Sequence, residues 1–238
     1  MTSTLKVGRA LREAITEFKR LVNVMSSMHT QFQIRPTDEA SFIKHQSSGS
    51  PGTVTLECAP VVCRVPERAS HSNADLYVVF TGRLEVGLAA DGSSTTKAFA
   101  TNFAYFDVGA ARVIHRLGGH YDFSADHLGH PTTHMQLRSQ VHYFQHVIDQ
   151  FPSVDGTLEV LDGMSDVLGH VRTPSAQVDF LGFLLQICAD HLLDAHSDEA
   201  TKNSFRSLMG SCAPVSGIGR PNDGGTCDCA HAVHLYGG

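Results

Sequence analysis

The sequence has no run of about 18 apolar residues, so it contains no predicted membrane-spanning helix. It also lacks an excess of positive charge: 18 Lys and Arg stand against 24 Asp and Glu, a formal net charge of −6. Domains that bind duplex nucleic acid are normally clearly basic, so we expect neither duplex DNA nor a membrane as a partner. The first residues lack the apolar core of a secretion signal, which predicts a cytoplasmic location.

The chain also lacks the glycine patterns of nucleotide-binding enzymes. It has no phosphate-binding loop, no G-x-G-x-x-G fingerprint and no G-x-S-x-G nucleophile elbow. The glycine-rich stretch at 216–220 does not follow a predicted strand and open a predicted helix, as a phosphate-binding turn would. A nucleotide-cofactor enzyme is therefore disfavoured.

The six cysteines are scattered along the chain and form no evident disulfide framework. In a chain of 238 residues without a secretion signal, buried thiols or metal ligands are favoured over disulfides.

The patterns that are present predict an α+β fold, with an antiparallel β-sheet, an N-terminal helix and a C-terminal helical layer. Apolar residues recur every three or four positions over residues 5–28, which predicts an amphipathic helix packed on the sheet. That helix is alternatively a surface for a protein partner. The other predicted elements are strands at 53–63, 76–88, 97–108 and 111–116, and helices at 137–151, 177–194 and 198–209.

These elements predict a single domain over residues 1–211. Residues 212–238 are rich in Gly, Pro, Asn and Asp, and we expect an irregular tail that contains Cys and His.

Seven of the fifteen histidines lie between His115 and His146, and this density is the strongest functional signal in the chain. The segment also contains Gly118, Gly119, Gly129 and Pro131, which predict that much of it lies on loops at the end of the sheet. Histidine is the commonest metal ligand and also titrates near neutral pH. The candidate ligands and acid–base groups are His120, Asp122, His127, His130 and His134.

Three interpretations of this segment stay open. Three or four of the donors bind a zinc ion, which would activate a water molecule. Alternatively, histidines without metal act as acid and base, for example in attack by an RNA 2′-hydroxyl on the neighbouring phosphate. In the third interpretation the histidines are only structural. His142 and His146 are spaced as in helical zinc sites, but Tyr143 replaces the glutamate of the metalloprotease motif.

The stretch His120-Tyr121-Asp122, followed by His127, His130-Pro131 and His134, resembles a motif of small bacterial proteins. Some of these belong to toxin–antitoxin and anti-phage systems, including the TumE-like toxins, which have a similar Tyr-Asp followed by clustered His and His-Pro. The resemblance implies a bacterial defence or toxin-type role. It does not extend to the C-terminal helical half, which the small toxins lack.

A second donor cluster lies near the end of the chain, in the pattern C-x-C-x-H-x-x-H, formed by Cys227, Cys229, His231 and His234. This spacing is tighter than that of usual structural zinc sites, so we expect two of the four to join ligands elsewhere, or an ordinary surface tail. The final Gly237-Gly238 resembles the end of ubiquitin-like modifiers, and a frayed terminus is the alternative.

The sequence therefore predicts a bacterial, cytoplasmic zinc-binding protein that acts as a hydrolase or nuclease-type effector. The predicted catalytic residues are His120, Asp122, His130 and His134. The alternative is a non-catalytic interaction protein with a structural metal or histidine network and a functional Gly-Gly tail. Asp190 lies in a predicted apolar helix, so we expect it to bond to a neighbour such as His191 or His170. Alternatively, Asp190 and His191 support the main cluster from the helical side.

Overall fold

A computed structural model of the protein describes eleven segments of the chain. They are residues 9–26, 33–38, 42–47, 52–65, 75–88, 94–124, 134–151, 159–164, 172–175, 178–193 and 198–212. Within them, an N-terminal helix, a mostly antiparallel sheet and C-terminal helices confirm the predicted α+β class. The division at residue 211 stays a prediction: the last described helix ends at Cys212, and residues 213–238 lie outside the described segments.

The described segments contribute nine strands to one sheet, more than the four predicted. They are β1 (Gln33–Pro36), β2 (Ile43–Ser47), β3 (Thr53–Val65), β4 (Asp75–Leu88), β5 (Ser94–Val108), β6 (Arg112–Ser124), β7 (His134–Leu137), β8 (Glu159–Asp162) and β9 (Arg172–Pro174). The strand order is β1-β3-β4-β5-β6-β7-β9, with β2 beside a second part of β3 and β8 beside β6. Only the β6–β8 pairing among these is parallel.

The helices are α1 (Arg9–Ser26), α2 (Gln145–Ile148), α3 (Phe180–Ile187) and α4 (Glu199–Cys212), and α3 continues into a π-helical turn at Cys188–Leu192. The apolar stripe of α1 is buried as its spacing predicts. Helices α1 and α3 pack on one face of the sheet, where Phe18 meets Phe180 edge-on and Phe80 meets Phe183, and α4 packs on these two helices. Each large apolar side chain buried there contributes roughly 1.5–3 kcal/mol.

The described residues cover only part of the opposite face. Residues 141–151, which include α2, pack Phe144, Val147 and Phe151 onto a smaller apolar cluster with Phe106 and Val113. The rest of this face carries polar side chains, and the predicted site residues of β6 lie among them.

The predicted helix at 137–151 is wrong for most of its length. The Arg138 amide donates to the Gly118 carbonyl and extends the β6–β7 ladder, and the Gln140 side chain donates to the Gly119 carbonyl. Only Gln145–Ile148 is helical, because the earlier residues already use their polar groups against β6.

Strand β6 runs to Ser124, far beyond the predicted end at Arg116. We expected loops here because of Gly118 and Gly119. A side chain at Gly119 would meet the carbonyl group of Gln136, so the glycine permits the close approach of β7. The glycine pair therefore marks tight strand packing.

Among the helices in the described part of the chain, none has both the length and the apolar character that a bilayer crossing requires.

Candidate metal centre

Strand β6 directs two predicted site residues to one face of the sheet. His120 and Asp122 are two residues apart, and alternate side chains of a strand point to the same face. Tyr121 between them points to the other face and joins the core under the helices. The strand alternation alone therefore places both donors side by side.

His134, the first residue of β7, adds a third donor from the neighbouring strand. It pairs directly with Asp122 in the β6–β7 register. Its Nδ1 lies 2.9 Å from Oδ1 of Asp122, and Nε2 of His120 lies 3.4 Å from Oδ2 of the same carboxylate. The two imidazole rings are steeply inclined, with centroids 6.0 Å apart. One carboxylate thus lies between two imidazoles, with one ring at each oxygen.

The cluster formed by His120, Asp122 and His134, hereafter the β6–β7 triad, is buried on one side and accessible on the other. The side chain of His134 is 1% exposed, that of His120 12% and that of Asp122 26%. Nδ1 of His120 is buried and forms no hydrogen bond with the described residues. Solvent and ligands can therefore reach the triad from the side of Asp122.

The β6–β7 triad fits a divalent cation in donor type and in spacing. One ligand atom from each residue can be chosen so that all three lie within 4.8 Å of one another. Zn–N and Zn–O bonds of about 2.1 Å in a tetrahedron place ligand atoms roughly 3.4 Å apart. Small side-chain adjustments would therefore bring the three donors to bonding distance. Within the described segments, no other group of three His, Cys, Asp or Glu side chains meets this condition.

The remaining predicted ligands lie outside the described residues. His127 and His130 belong to residues 125–133, which connect β6 to β7. The tail donors Cys227, Cys229 and His231, with His234, belong to residues 213–238. Their roles stay predictions.

A second His–Asp pair, at the other end of β6, was not predicted as a pair. His115 is fully buried, and its Nδ1 lies 2.8 Å from Oδ1 of Asp162 on β8. Its Nε2 is buried and has no hydrogen-bond partner among the described residues. Burial raises the pKa of Asp162, but hydrogen bonds from Ser139, His115 and the Met164 amide outweigh it and lower that pKa overall.

Three polar residues beside His120 were also missed by the sequence analysis. Asn102 on β5 is the direct strand partner of His120, and Arg138 donates from Nη2 to Oδ1 of Asn102 over 3.3 Å. The Tyr143 hydroxyl is hydrogen-bonded to the Asn102 side chain as well. No local pattern marks these residues, because their proximity depends on strand register.

The expectation that Asp190 and His191 support the main histidine cluster is wrong. His191 lies with Nε2 3.2 Å from the hydroxyl of Tyr105, on the face of the sheet that the helices cover. Asp190 is exposed in the π-helical turn. The two residues therefore lie across the sheet from the β6–β7 triad. His142 and His146 are both exposed and outside the triad.

Comparison of the chain with protein-family models, with curated proteins and with solved structures gave no match.

Proposed function

We propose that this protein binds a divalent metal ion, zinc as the first choice, at the β6–β7 triad and uses it for hydrolysis. The observation that supports this most is the carboxylate of Asp122 held between two imidazoles, at distances of 2.9 and 3.4 Å. Two imidazoles and a carboxylate are a common protein ligand set for catalytic zinc.

The uneven exposure of the triad favours a catalytic over a structural ion. Catalytic zinc keeps three protein ligands and an open position, whereas structural zinc is enclosed by four. His134 is buried, while the partly exposed carboxylate of Asp122 is accessible to water. A zinc ion, when bound, supplies Lewis acidity to water and to a substrate oxygen.

The histidines between β6 and β7 complete this proposal. His127 is a further candidate ligand, and His130 is the candidate proton carrier. Both lie in the connection that leaves β6 two residues after Asp122 and ends at His134.

The resemblance to TumE-like toxins favours a phosphodiester, as in RNA, as the bond that is hydrolysed, and a role in bacterial defence within the cytoplasm. The net charge of −6 disfavours duplex nucleic acid as the substrate, because duplex binding rests largely on basic phosphate contacts.

The second candidate function is a non-catalytic interaction protein. It is favoured by the burial of His134 and its contact with Asp122, since a buried polar network can simply hold two strands together. In that case the metal stabilises the fold, and α1 or the Gly-Gly tail contacts a protein partner.

Chelator-treated protein, titrated with Zn²⁺ and assayed on a model phosphodiester, separates the two functions. We expect turnover that depends on zinc and that falls at least ~100-fold in His120→Gln. Loss of a metal ligand should lower activity by more than loss of a residue that only hydrogen-bonds to a ligand. His142→Gln is the matched control, because His142 is exposed and outside the triad. Zinc that raises the melting temperature without any turnover would contradict the catalytic proposal and support the structural one.

A further inference from the structure

The polar face beside the β6–β7 triad carries a cation at a defined position. Arg138 follows β7, and its amide continues the ladder to Gly118, two residues before His120. His134 and Arg138 are four residues apart on this extended segment, so both side chains belong to the same face. The side chain of Arg138 therefore starts on the face that carries the triad.

The guanidinium of Arg138 crosses β6 to reach β5. Its Nη2 donates to Oδ1 of Asn102 over 3.3 Å, and β5 lies two strands away from β7 in the sheet. Because Asn102 and His120 are direct strand partners, this contact lies beside His120. A positive charge thus lies next to the accessible side of the triad.

Tyr143 adds a neutral donor at the same place. It is 49% exposed, and its hydroxyl is hydrogen-bonded to Asn102. Burial of part of the ring raises the pKa of Tyr143, so the hydroxyl stays protonated at neutral pH. Glu57 is a nearby negative charge. Its strand partners are Lys44 on β2 and Arg83 on β4, and Arg83 also forms an ion pair with Glu85.

Arg138 is exposed and forms no ion pair with any residue that the structure describes. By contrast, Arg64, Arg83 and Arg116 are each paired with a carboxylate. Among the described residues, the guanidinium of Arg138 donates one hydrogen bond, to the neutral amide of Asn102. Its other N–H groups remain available to an anion.

We propose that Arg138, Asn102 and Tyr143 form a phosphate-binding subsite beside the β6–β7 triad, which makes phosphate esters the substrate class of the proposed hydrolase. This inference rests on the proposed function for the reaction, but the subsite itself needs no metal. A guanidinium fork, an amide and a hydroxyl match the several oxygens of a phosphate group, and arginine is the preferred residue for such two-point recognition.

Inorganic phosphate is the probe, titrated into metal-free protein by calorimetry or ligand-observed NMR. We expect Arg138→Gln to weaken phosphate binding on the order of 10- to 100-fold, as for loss of a charge-assisted hydrogen bond. Arg138→Lys should give an intermediate loss, because it keeps the charge and loses the fork. Arg112→Gln is the matched control, since Arg112 is an exposed arginine at the start of β6, remote from His120 and Asp122 along that strand.

Unchanged phosphate binding in Arg138→Gln would overturn the inference, and so would acetate binding as tightly as phosphate. A second arm uses the zinc-loaded protein with a phosphodiester and a carboxyl ester. We expect Arg138→Gln to lower kcat/KM for the phosphodiester alone, and an equal loss for both esters would overturn the assignment. Arg138-dependent phosphate binding without any turnover would support the subsite and contradict the hydrolase.

Discussion

The two ends of strand β6 each hold a histidine against an aspartate, yet they differ in what the pair can do. Near one end, His120 and His134 flank Asp122, and the carboxylate is partly accessible. Toward the other end, His115 meets Asp162 alone and is 0% exposed. Three converging donors suit a cation, whereas the buried His115 and the 37% exposed Asp162 form a two-residue contact that joins strands β6 and β8.

The surroundings of the two pairs explain this difference. The ring of His115 packs against Phe106, at a centroid distance of 5.3 Å, and its Nε2 lies over Gly118. Nothing large can approach that nitrogen. The triad instead borders the polar part of the sheet, which α2 does not cover. A His–Asp contact is therefore evidence of a metal site only where further donors converge on it, as they do at the triad.

The largest expected effect comes from Asp122→Asn, which removes the shared carboxylate and preserves its shape. We expect the zinc dissociation constant to rise at least ~100-fold, because the loss of a ligand exceeds the 10- to 100-fold typical of an outer partner. Competition titration with a chromophoric chelator measures it. Asp162→Asn is the control and should bind zinc as the unchanged protein does; equal losses in the two variants would remove the distinction between the two ends.

Gly118→Ala should destabilise the part of β6 that holds His115. A methyl group there would lie 2.5 Å from Nε2 of His115 and 3.0 Å from both the Arg138 carbonyl oxygen and Cγ of Gln140. Because Asp162 holds the ring of His115 in place, we expect the free energy of unfolding to fall by about 1–3 kcal/mol. Urea denaturation of metal-free protein measures it.

Gly210→Ala in α4 is the matched control for this substitution. Among the described residues, apart from the backbone of α4 itself, no atom lies within 4 Å of the added methyl group, so helix propensity should raise stability by about 0.5–1 kcal/mol. A loss of stability at Gly210 equal to that at Gly118 would show that crowding around His115 is not the cause.

Asp162→Asn should lower the free energy of unfolding by about 1–2 kcal/mol at pH 7, because a buried imidazole N–H then loses its charged acceptor. Zinc affinity should stay unchanged. Denaturation and zinc titration of the same preparation measure the two quantities. A variant as stable as the unchanged protein would mean that the His115–Asp162 contact does not stabilise the fold.

The smallest expected effect is the pH dependence of the difference in unfolding free energy between the unchanged protein and Asp162→Asn. The pKa of Asp162 is lower in the folded protein than its ordinary value of 3.8, so the folded state binds fewer protons there. The stabilisation is fully present above that value and is lost as the pH falls through the lowered pKa. The stability gap between the unchanged protein and Asp162→Asn should therefore shrink below about pH 4. A gap that widens toward acid pH would contradict the assigned direction.

Local periodicity was sufficient to predict much of the fold. The stripe of α1 and the central strands β3, β4 and β5 follow from their spacing and β-branched residues. The same reasoning failed at β6, where Gly118 and Gly119 indicated a loop. Whether a glycine pair ends a strand or permits close packing depends on the partner strand, which no local window contains.

The candidate site was predictable in its residues but not in its geometry. His120, Asp122 and His134 were expected as donors, and strand alternation would have paired the first two had β6 been predicted to its full length. The pairing of Asp122 with His134 requires the β6–β7 register. To place Asn102 and Arg138 beside His120, one must know the strand register on both sides of β6. To place Asp162 beside His115, one must know that a strand far along the chain pairs with β6 in parallel.

The most direct test of zinc binding at the β6–β7 triad is an anomalous difference map at the zinc edge, from crystals of protein supplied with zinc. We expect a peak within about 2.2 Å of ligand atoms from His120, Asp122 and His134, and none beside His115. A fully occupied zinc elsewhere in the molecule, with no peak at the triad, would contradict it.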